Sequence, residues 1–342
     1  MRVLLTGAFG NIGTSALEKL VAQGHQVTCF DVKTKANKKA ARRFKGRAEV
    51  IWGDLRNPED VQAAVRDKDV VVHLAFVIPK LSATGVGCED RPDWAWAINV
   101  GGTRNLIEAM KAQRKPPRLI FSSSLHVYGL TQDKRPPRKV SDRTQGTDHY
   151  TRHKIECERM IRQSGLKWSI LRFGAALPLS LRLDPGMFDV PLDNRMEFVH
   201  TRDVGLAIAN AVSSDKVWGK TLHIGGGPRC QFYFREMAAR LLEAMGVGML
   251  PDEAFAKRPF ATDWLDTTES QKILQYQRYD FGDYVQEMTA LLGFRRYFIR
   301  LFRPVVRLYL LSKSPYMPRK GWGWLAKLGP KPKEPQTAEG GA

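Results

Sequence analysis

Only four cysteines occur among 342 residues, and Cys29, Cys88, Cys157 and Cys230 lie far apart with no CxxC pair. That scarcity excludes a disulfide framework and offers no thiolate cluster for a metal, so no metal is expected and a reducing cytoplasm is. Long apolar runs are missing as well: none approaches the roughly 18 residues of a membrane span. The N-terminus lacks the cationic lead and apolar stretch of a secretory signal and reads directly as a strand. Acid is scarce, with 35 Asp and Glu against 54 Lys and Arg, a formal charge of +19. Such a balance asks for an anionic partner: a phosphorylated small molecule, a membrane surface or a nucleic acid. Hydrophobic content of 43% is ordinary for a chain that buries a large core.

What is present is concentrated at the start. Arg2-Val3-Leu4-Leu5-Thr6 is a short apolar run, and Gly7-Ala8-Phe9-Gly10-Asn11-Ile12-Gly13 follows at once. Residues 14–22 place Leu17, Leu20 and Val21 at helical spacing, and a second strand-like run, 26–30, ends at Asp31. Strand, glycine turn, helix, strand and acid is the order a dinucleotide site requires. Gly7 permits a sharp turn, Gly10 lets the backbone approach a pyrophosphate, and Gly13 lets the helix pack closely on the sheet. The helix N-terminus then offers free N–H groups and a partial positive charge to phosphate. Asp31, 18 residues after Gly13, suits the adenosine ribose hydroxyls. Its carboxylate would repel a 2′-phosphate, which favours NAD, while Lys33 and Lys35 keep NADP open.

Strand-like and helical runs then alternate roughly every 20–30 residues, as in a parallel sheet covered by helices on both faces. Residues 49–52, 69–75, 118–121 and 167–172 read as strands, and 94–113 and 150–163 as helices. Asn57-Pro58-Glu59 opens another helix with a cap and a first-turn proline. Residues 76–93 form a long loop of the kind that is often functional. Beyond Arg172 the alternation loosens: Phe198-Val199-His200 reads as a short strand, 203–212 as a helix, 221–224 as a strand, and 234–245 and 283–292 as helices. The expected class is α/β, a Rossmann doubly wound parallel sheet over 1–172 that 198–224 rejoins. A smaller interleaved substrate region over 173–294 and an appended basic C-terminal helix within 295–342 complete it.

Tyr150 and Lys154 stand four apart, on one face of a helix. A phenol with a pKa near 10 is a poor base at pH 7, and a lysine cation beside it favours the phenolate. Tyr150 can then exchange a proton with a substrate oxygen while a nicotinamide exchanges hydride. Ser124 ends a strand at the edge where doubly wound sheets bind ligands, so it can hydrogen-bond that same oxygen.

Taken in order, Gly7-x-x-Gly10-x-x-Gly13, Asp54-Leu55, His73-Leu74-Ala75, Asn99-x-x-Gly102-Thr103, Ser122-Ser123-Ser124 through Val127-Tyr128-Gly129, and Tyr150-x-x-x-Lys154 resemble the extended short-chain dehydrogenase/reductase family, in particular its NAD-dependent epimerase/dehydratase branch. The resemblance spans about residues 1–290. It implies that Tyr150 is the acid/base, that Lys154 binds the nicotinamide ribose and lowers the tyrosine pKa, and that Ser124 orients substrate. It also implies an adenine contact for Asp54 and a structural or proton-relay role for Asn99. Phe9, Asn11, Ile12, Leu55, Leu74 and Ala75 would line the cofactor with the glycines, and a homodimer would pair through the helices holding Asn99 and Tyr150.

Departures from the pattern narrow the reaction. Dehydratases of this branch carry Asp-Glu directly after the Ser/Thr, and here Leu125 and His126 stand there. Leucine cannot protonate a leaving hydroxyl, so the serine stretch is closer to that of the sugar 4-epimerases. Nucleotide-sugar enzymes usually place an arginine two residues before the aromatic matching Phe198, which here is Met196. Arg195 lies one step off, Arg258 is a second phosphate candidate, and 174–197 is short. The expected activity is epimerase or oxidoreductase chemistry at an alcohol or ketone carbon of a (nucleotide-)sugar. The alternative is a smaller apolar or steroid-like substrate, for which Phe76, Ile78 and Met187 suit the pocket. His126 is a candidate auxiliary acid/base, and a non-catalytic NAD-binding scaffold is the third reading.

Residues 295–333 contain eleven Lys/Arg and no Asp/Glu. Arg296, Arg300, Arg303 and Arg307 form a helical stripe among aromatic and aliphatic residues, and Pro304 either kinks that helix or starts a second one. With Tyr316, Trp322 and Trp324 the pattern reads as an in-plane contact with an anionic membrane surface, at its inner face. Packing on the catalytic body is the competing reading. Nucleic acid is not the expected partner, since no recognition module is visible.

Overall fold

Apolar runs without polar alternation need cover on both faces, and here they form one parallel sheet. The computed structural model describes residues 1–79, 85–180 and 185–317. In chain order the elements are β1 (Arg2–Thr6), α1 (Asn11–Ala22), β2 (Gln26–Asp31), α2 (Lys35–Ala41), β3 (Glu49–Trp52), α3 (Pro58–Val65), β4 (Val70–His73), α4 (Pro92–Trp96), α5 (Gly102–Lys111), β5 (Arg118–Ser124), α6 (His149–Gln163) and β6 (Trp168–Phe173). They continue with β7 (Arg195–Glu197), α7 (Thr201–Ser213), β8 (Lys220–Ile224), β9 (Gln231–Tyr233), α8 (Phe234–Ala244), α9 (Thr268–Leu274), α10 (Phe281–Leu292), α11 (Arg295–Leu301) and α12 (Arg303–Leu311). The sheet order is β3-β2-β1-β4-β5-β6-β8, parallel throughout. The order reverses between β1 and β4, which opens a crevice at the carboxyl ends of the strands.

Leu17 and Leu20 of α1 and Val204 and Ile208 of α7 cover one face of the sheet. Val61, Leu106, Met110, Cys157 and Ile161 of α3, α5 and α6 cover the other. Strand β8 pairs in parallel with β6 at the far edge of the sheet. A second core holds Phe188, Met196, Phe198, Met237, Phe281 and Met288, around the antiparallel pair β7–β9 and helices α8 and α10.

Three elements differ from the sequence reading. The helix over 94–113 is divided by a π-turn at Ala97–Gly101. Buried Asn99 sits in that turn, where its Oδ1 accepts from the Val77 N–H (2.7 Å) and its Nδ2 donates to the Val77 carbonyl (3.0 Å). The short strand lies at Arg195–Glu197 rather than at Phe198-Val199-His200. His200 instead caps α7, with Nδ1 accepting from the Arg202 N–H (3.1 Å).

The third difference is the tail. Pro304 starts a second helix, α12, and the arginine stripe is split. Arg303 Nε donates to the Val247 carbonyl (2.9 Å), and Arg307 Nη1 donates to the carbonyls of Val247 (3.2 Å), Gly248 (3.2 Å) and Met249 (2.6 Å). Leu310 is buried in the second core. Helix α12 therefore packs on the body of the protein. Trp322 and Trp324, with the rest of 318–342, lie outside the described residues. Leu310→Ala is expected to destabilise the protein by about 2–4 kcal/mol, read as a lower denaturant midpoint at unchanged slope.

Candidate active site

The first turn is built by exclusion. Gly7 has a φ of +66°, and a Cβ there would stand 2.7 Å from the Ala75 nitrogen. A Cβ on Gly13 would stand 2.0 Å from the Gly7 carbonyl oxygen, so α1 sits directly on the end of β1. Gly10 caps α1 without a side chain, which leaves the first helical N–H groups, those of Asn11, Ile12 and Gly13, facing outward for an anion. Phe9 is buried behind them. The N–H groups of Leu74 and Ala75 both donate to Thr6 Oγ1 (3.2 Å), which holds the end of β4 beside the turn.

At the end of β2, Asp31 Oδ2 accepts from the Phe9 N–H (3.0 Å), and Oδ1 accepts from the Val32 N–H (2.9 Å) and Asn37 Nδ2 (3.0 Å). Burial pushes this carboxyl above its ordinary range, and the two backbone donors pull it back. A glycine cradle with no room for a Cβ, a helix N-terminus and an acid at the tip of the next strand fit the pyrophosphate and ribose of a dinucleotide. Leu55 is buried against Gly102. Asp54 is engaged by Arg56, whose Nη2 donates to its Oδ2 at 2.6 Å.

The second half of the site assembles one crevice away. Ser124 ends β5, accepts from the His126 N–H (3.2 Å) and lies beside the Tyr150 phenol. Helix α6, which carries Tyr150 and Lys154, is fixed at its N-terminus twice. Asp148 forms a capping box with Thr151, and the Glu89 carboxylate accepts from the Tyr150 N–H at 3.0 Å. Lys154 Nζ donates to the Ser122 carbonyl (2.6 Å) and lies 3.5 Å from the Phe76 ring centroid and 4.8 Å from that of Phe121. The Tyr150 ring meets Phe76 and His126 edge-on at 5.8 and 6.2 Å, and His126 meets Phe260 at 5.5 Å. Asn194 braces Phe260 by accepting from its N–H (3.0 Å) and donating to its carbonyl (3.2 Å).

This packing sets the protonation states. Burial pushes the Tyr150 phenol up to about 12, and Ser124 pulls it down. Burial pushes the Lys154 ammonium down to about 7. Lys154 Nζ, turned to the Ser122 carbonyl and the Phe76 ring, lies 5.8 Å from the Tyr150 ring centroid. Tyr150 is thus a proton donor at neutral pH. Burial also lowers His126, whose neutral ring keeps one acceptor nitrogen.

Other sequence candidates stand apart from this cluster. Asn99 braces the chain after β4 through its two hydrogen bonds to Val77. Arg195 donates to Asp263 (2.6 Å) and to the carbonyls of Thr131 and Lys134 (both 2.9 Å), so its guanidinium is committed within the protein. Arg258 is exposed. Asn37, Glu89 and Phe260 were not evident from sequence. Asn37 alone left a cue, three residues after the Thr34 cap of α2.

A lysine that loses its proton near pH 7 when folded and near 10.5 when unfolded penalises folding fully below pH 7, and the penalty fades as pH climbs to 10.5. Lys154→Met is therefore expected to raise the stability of the cofactor-free protein by about 1–3 kcal/mol at pH 7. In denaturant titrations the gain should shrink toward pH 10.

A family profile described as NAD(P)H-binding matches residues 7–213. A 3-beta-hydroxysteroid dehydrogenase of Mycolicibacterium neoaurum is 29% identical over 161 residues, 47% of this chain and 42% of that protein. A UDP-glucose 4-epimerase of Pisum sativum is 30% identical over 183 residues, half of each chain. The chain thus spans half or less of the length of these curated relatives. Among solved structures, UDP-glucuronic acid 4-epimerase of Bacillus cereus in complex with UDP-glucuronic acid and NAD superposes with a TM-score of 0.71 at 21% identity, over 85% of this chain and 98% of that one. That likeness shows the shared fold. On the family match over residues 7–213, the chain belongs to the NAD(P)H-binding family.

Proposed function

We propose that the protein is an NAD-dependent epimerase or oxidoreductase acting at one alcohol or ketone carbon of a sugar or nucleotide-sugar. The observation that carries this reading is the convergence of Ser124, Tyr150 and Lys154 at the carboxyl edge of the sheet that bears the glycine turn. A nicotinamide, when bound, supplies and accepts the hydride. The chain's own part is the proton. Ser124 Oγ orients the substrate oxygen, and the Tyr150 phenol gives its proton to that oxygen as a ketone becomes an alcohol. In the reverse direction the phenolate takes the proton back, and Lys154 in its cationic form favours that phenolate. Asp31, at the ribose end, favours NAD over a 2′-phosphorylated cofactor. The sugar class is supported by the pea relative.

A second substrate class, a smaller apolar or steroid-like alcohol or ketone, is favoured by the rings of Phe76, His126 and Phe260 around Tyr150 and by the commitment of Arg195 to Asp263. The mycobacterial relative is a hydroxysteroid dehydrogenase. In this class His126 serves as an auxiliary proton acceptor. The setting we propose is cytoplasmic, with pairing of two copies through the helices that hold Asn99 and Tyr150, and peripheral attachment to an anionic inner membrane face. The last is supported by the unbroken cationic run of 295–333. Among the described residues no helix is long and apolar enough to cross a membrane.

Tyr150→Phe is expected to lower turnover at least about 100-fold while NAD affinity stays within about twofold. UDP-glucose and a 3β-hydroxysteroid serve as parallel probes, followed by NADH absorbance and product identity. Unchanged turnover would overturn the enzymatic reading, and the probe that is converted decides between the two substrate classes.

A further inference from the structure

Six large apolar side chains on the last two helices face solvent. Phe294 is 70% exposed, Tyr297 61%, Phe298 56%, Leu301 72%, Phe302 54% and Val305 58%. Their spacing follows the helical repeat from 294 to 305, so they make one stripe that runs across the break between α11 and α12. The opposite side of the same helices is occupied. Ile299, Val306 and Leu310 pack on the second core, and Arg303 and Arg307 hold the carbonyls of 247–249. The outward direction of the stripe is therefore fixed by packing. Single exposed apolar residues are ordinary, whereas a contiguous aromatic stripe marks a contact surface.

The charge around the stripe identifies the occupant. Arg295 and Arg300 are exposed beside it, and Arg296 donates to the Tyr297 hydroxyl at 2.8 Å. Residues 295–317 carry six Lys/Arg and no acid. A second copy of this stripe would bring two sets of Arg295, Arg296 and Arg300 together, and residues 295–317 supply no carboxylate to pair them. An anionic bilayer satisfies both needs, with acyl chains for the rings and phosphates for the guanidinium groups.

We propose that the stripe from Phe294 to Val305 inserts shallowly into the interface of an anionic membrane, with Arg295, Arg296 and Arg300 at the level of the phosphates. The inference rests on the peripheral attachment proposed above and names the part of the chain that inserts. Arg303 and Arg307 act differently, fastening the inserted stripe to the body, so that the bilayer holds the catalytic half in one orientation.

The test is co-sedimentation of the full chain with vesicles of phosphatidylcholine containing about 30% phosphatidylglycerol, against phosphatidylcholine alone. The Phe298→Ser/Leu301→Ser variant keeps the charge and removes two apolar side chains at exposed positions. Its thermal midpoint and NAD affinity confirm that it is folded. The wild-type chain is expected to bind the anionic vesicles and to retain part of that binding at about 0.5 M salt. The variant is expected to bind at least about tenfold more weakly. If the wild-type chain does not bind anionic vesicles, the peripheral reading and this inference both fall. If the variant binds as tightly as the wild type, the inference alone is overturned and attachment is purely electrostatic. Loss of self-association in the ultracentrifuge with vesicle binding unchanged would also overturn it, in favour of a second copy.

Discussion

Everything in this structure depends on how closely α1 lies on the end of β1. The Gly7 carbonyl occupies the space a methyl group on residue 13 would need, and on the far side of α1 the Ser15 carbonyl stands 2.5 Å from where a Cβ on Gly205 would be. Helix α1 is therefore gripped between the first turn and α7. Lifting it by one methyl would carry its free N–H groups away from the crevice beside β4. It would also loosen α7, the element that leads the chain back to β8 and the far edge of the sheet. One close contact thus serves the cofactor site and the sheet topology together.

The chemistry sits on a second constraint, a lysine held in a nearly dry space. Lys154 has one carbonyl and three aromatic rings for company, and burial moves it toward neutrality. A protein selected for stability alone would place an apolar residue there, since a buried charge without a carboxylate opposes folding. The surrounding structure supplies the compensation. Glu89 and Asp148 fix the start of α6, Asn99 ties the loop after β4 to the π-turn, and Asn194 holds Phe260 in place across the pocket. These polar contacts fix the helix that carries Tyr150, the chain beside Phe76 and the ring that packs on His126.

Arginines in this chain illustrate why charge counts alone mislead. Arg195, Arg303 and Arg307 are available to anions when read as a string of residues. In the fold they satisfy Asp263 and backbone carbonyls that helix ends and turns leave open. What remains outward at the C-terminus is a smaller cationic set, and beside it an apolar stripe that the helical repeat alone does not distinguish from the side that packs inward.

The sequence by itself determined the class of sheet, the position of the glycine turn, Asp31, and the pairing of Tyr150 with Lys154. All of these are encoded by residues near one another in the chain, through strand length, turn geometry and helical spacing. The register of the short strand at Arg195–Glu197 and the π-turn around Asn99 were decided by tertiary contacts that no local pattern carries, whereas the break at Pro304 was legible in the proline itself. The same holds for the site. Ser124 and the α6 pair were legible because strand ends and i,i+4 spacing point to the crevice. Glu89, Asn194 and Phe260 were not, because their contacts join segments 61, 66 and 134 residues apart in the chain. Local physics sets which groups can do chemistry, and long-range packing decides which of them meet, which are buried, and which protons they hold.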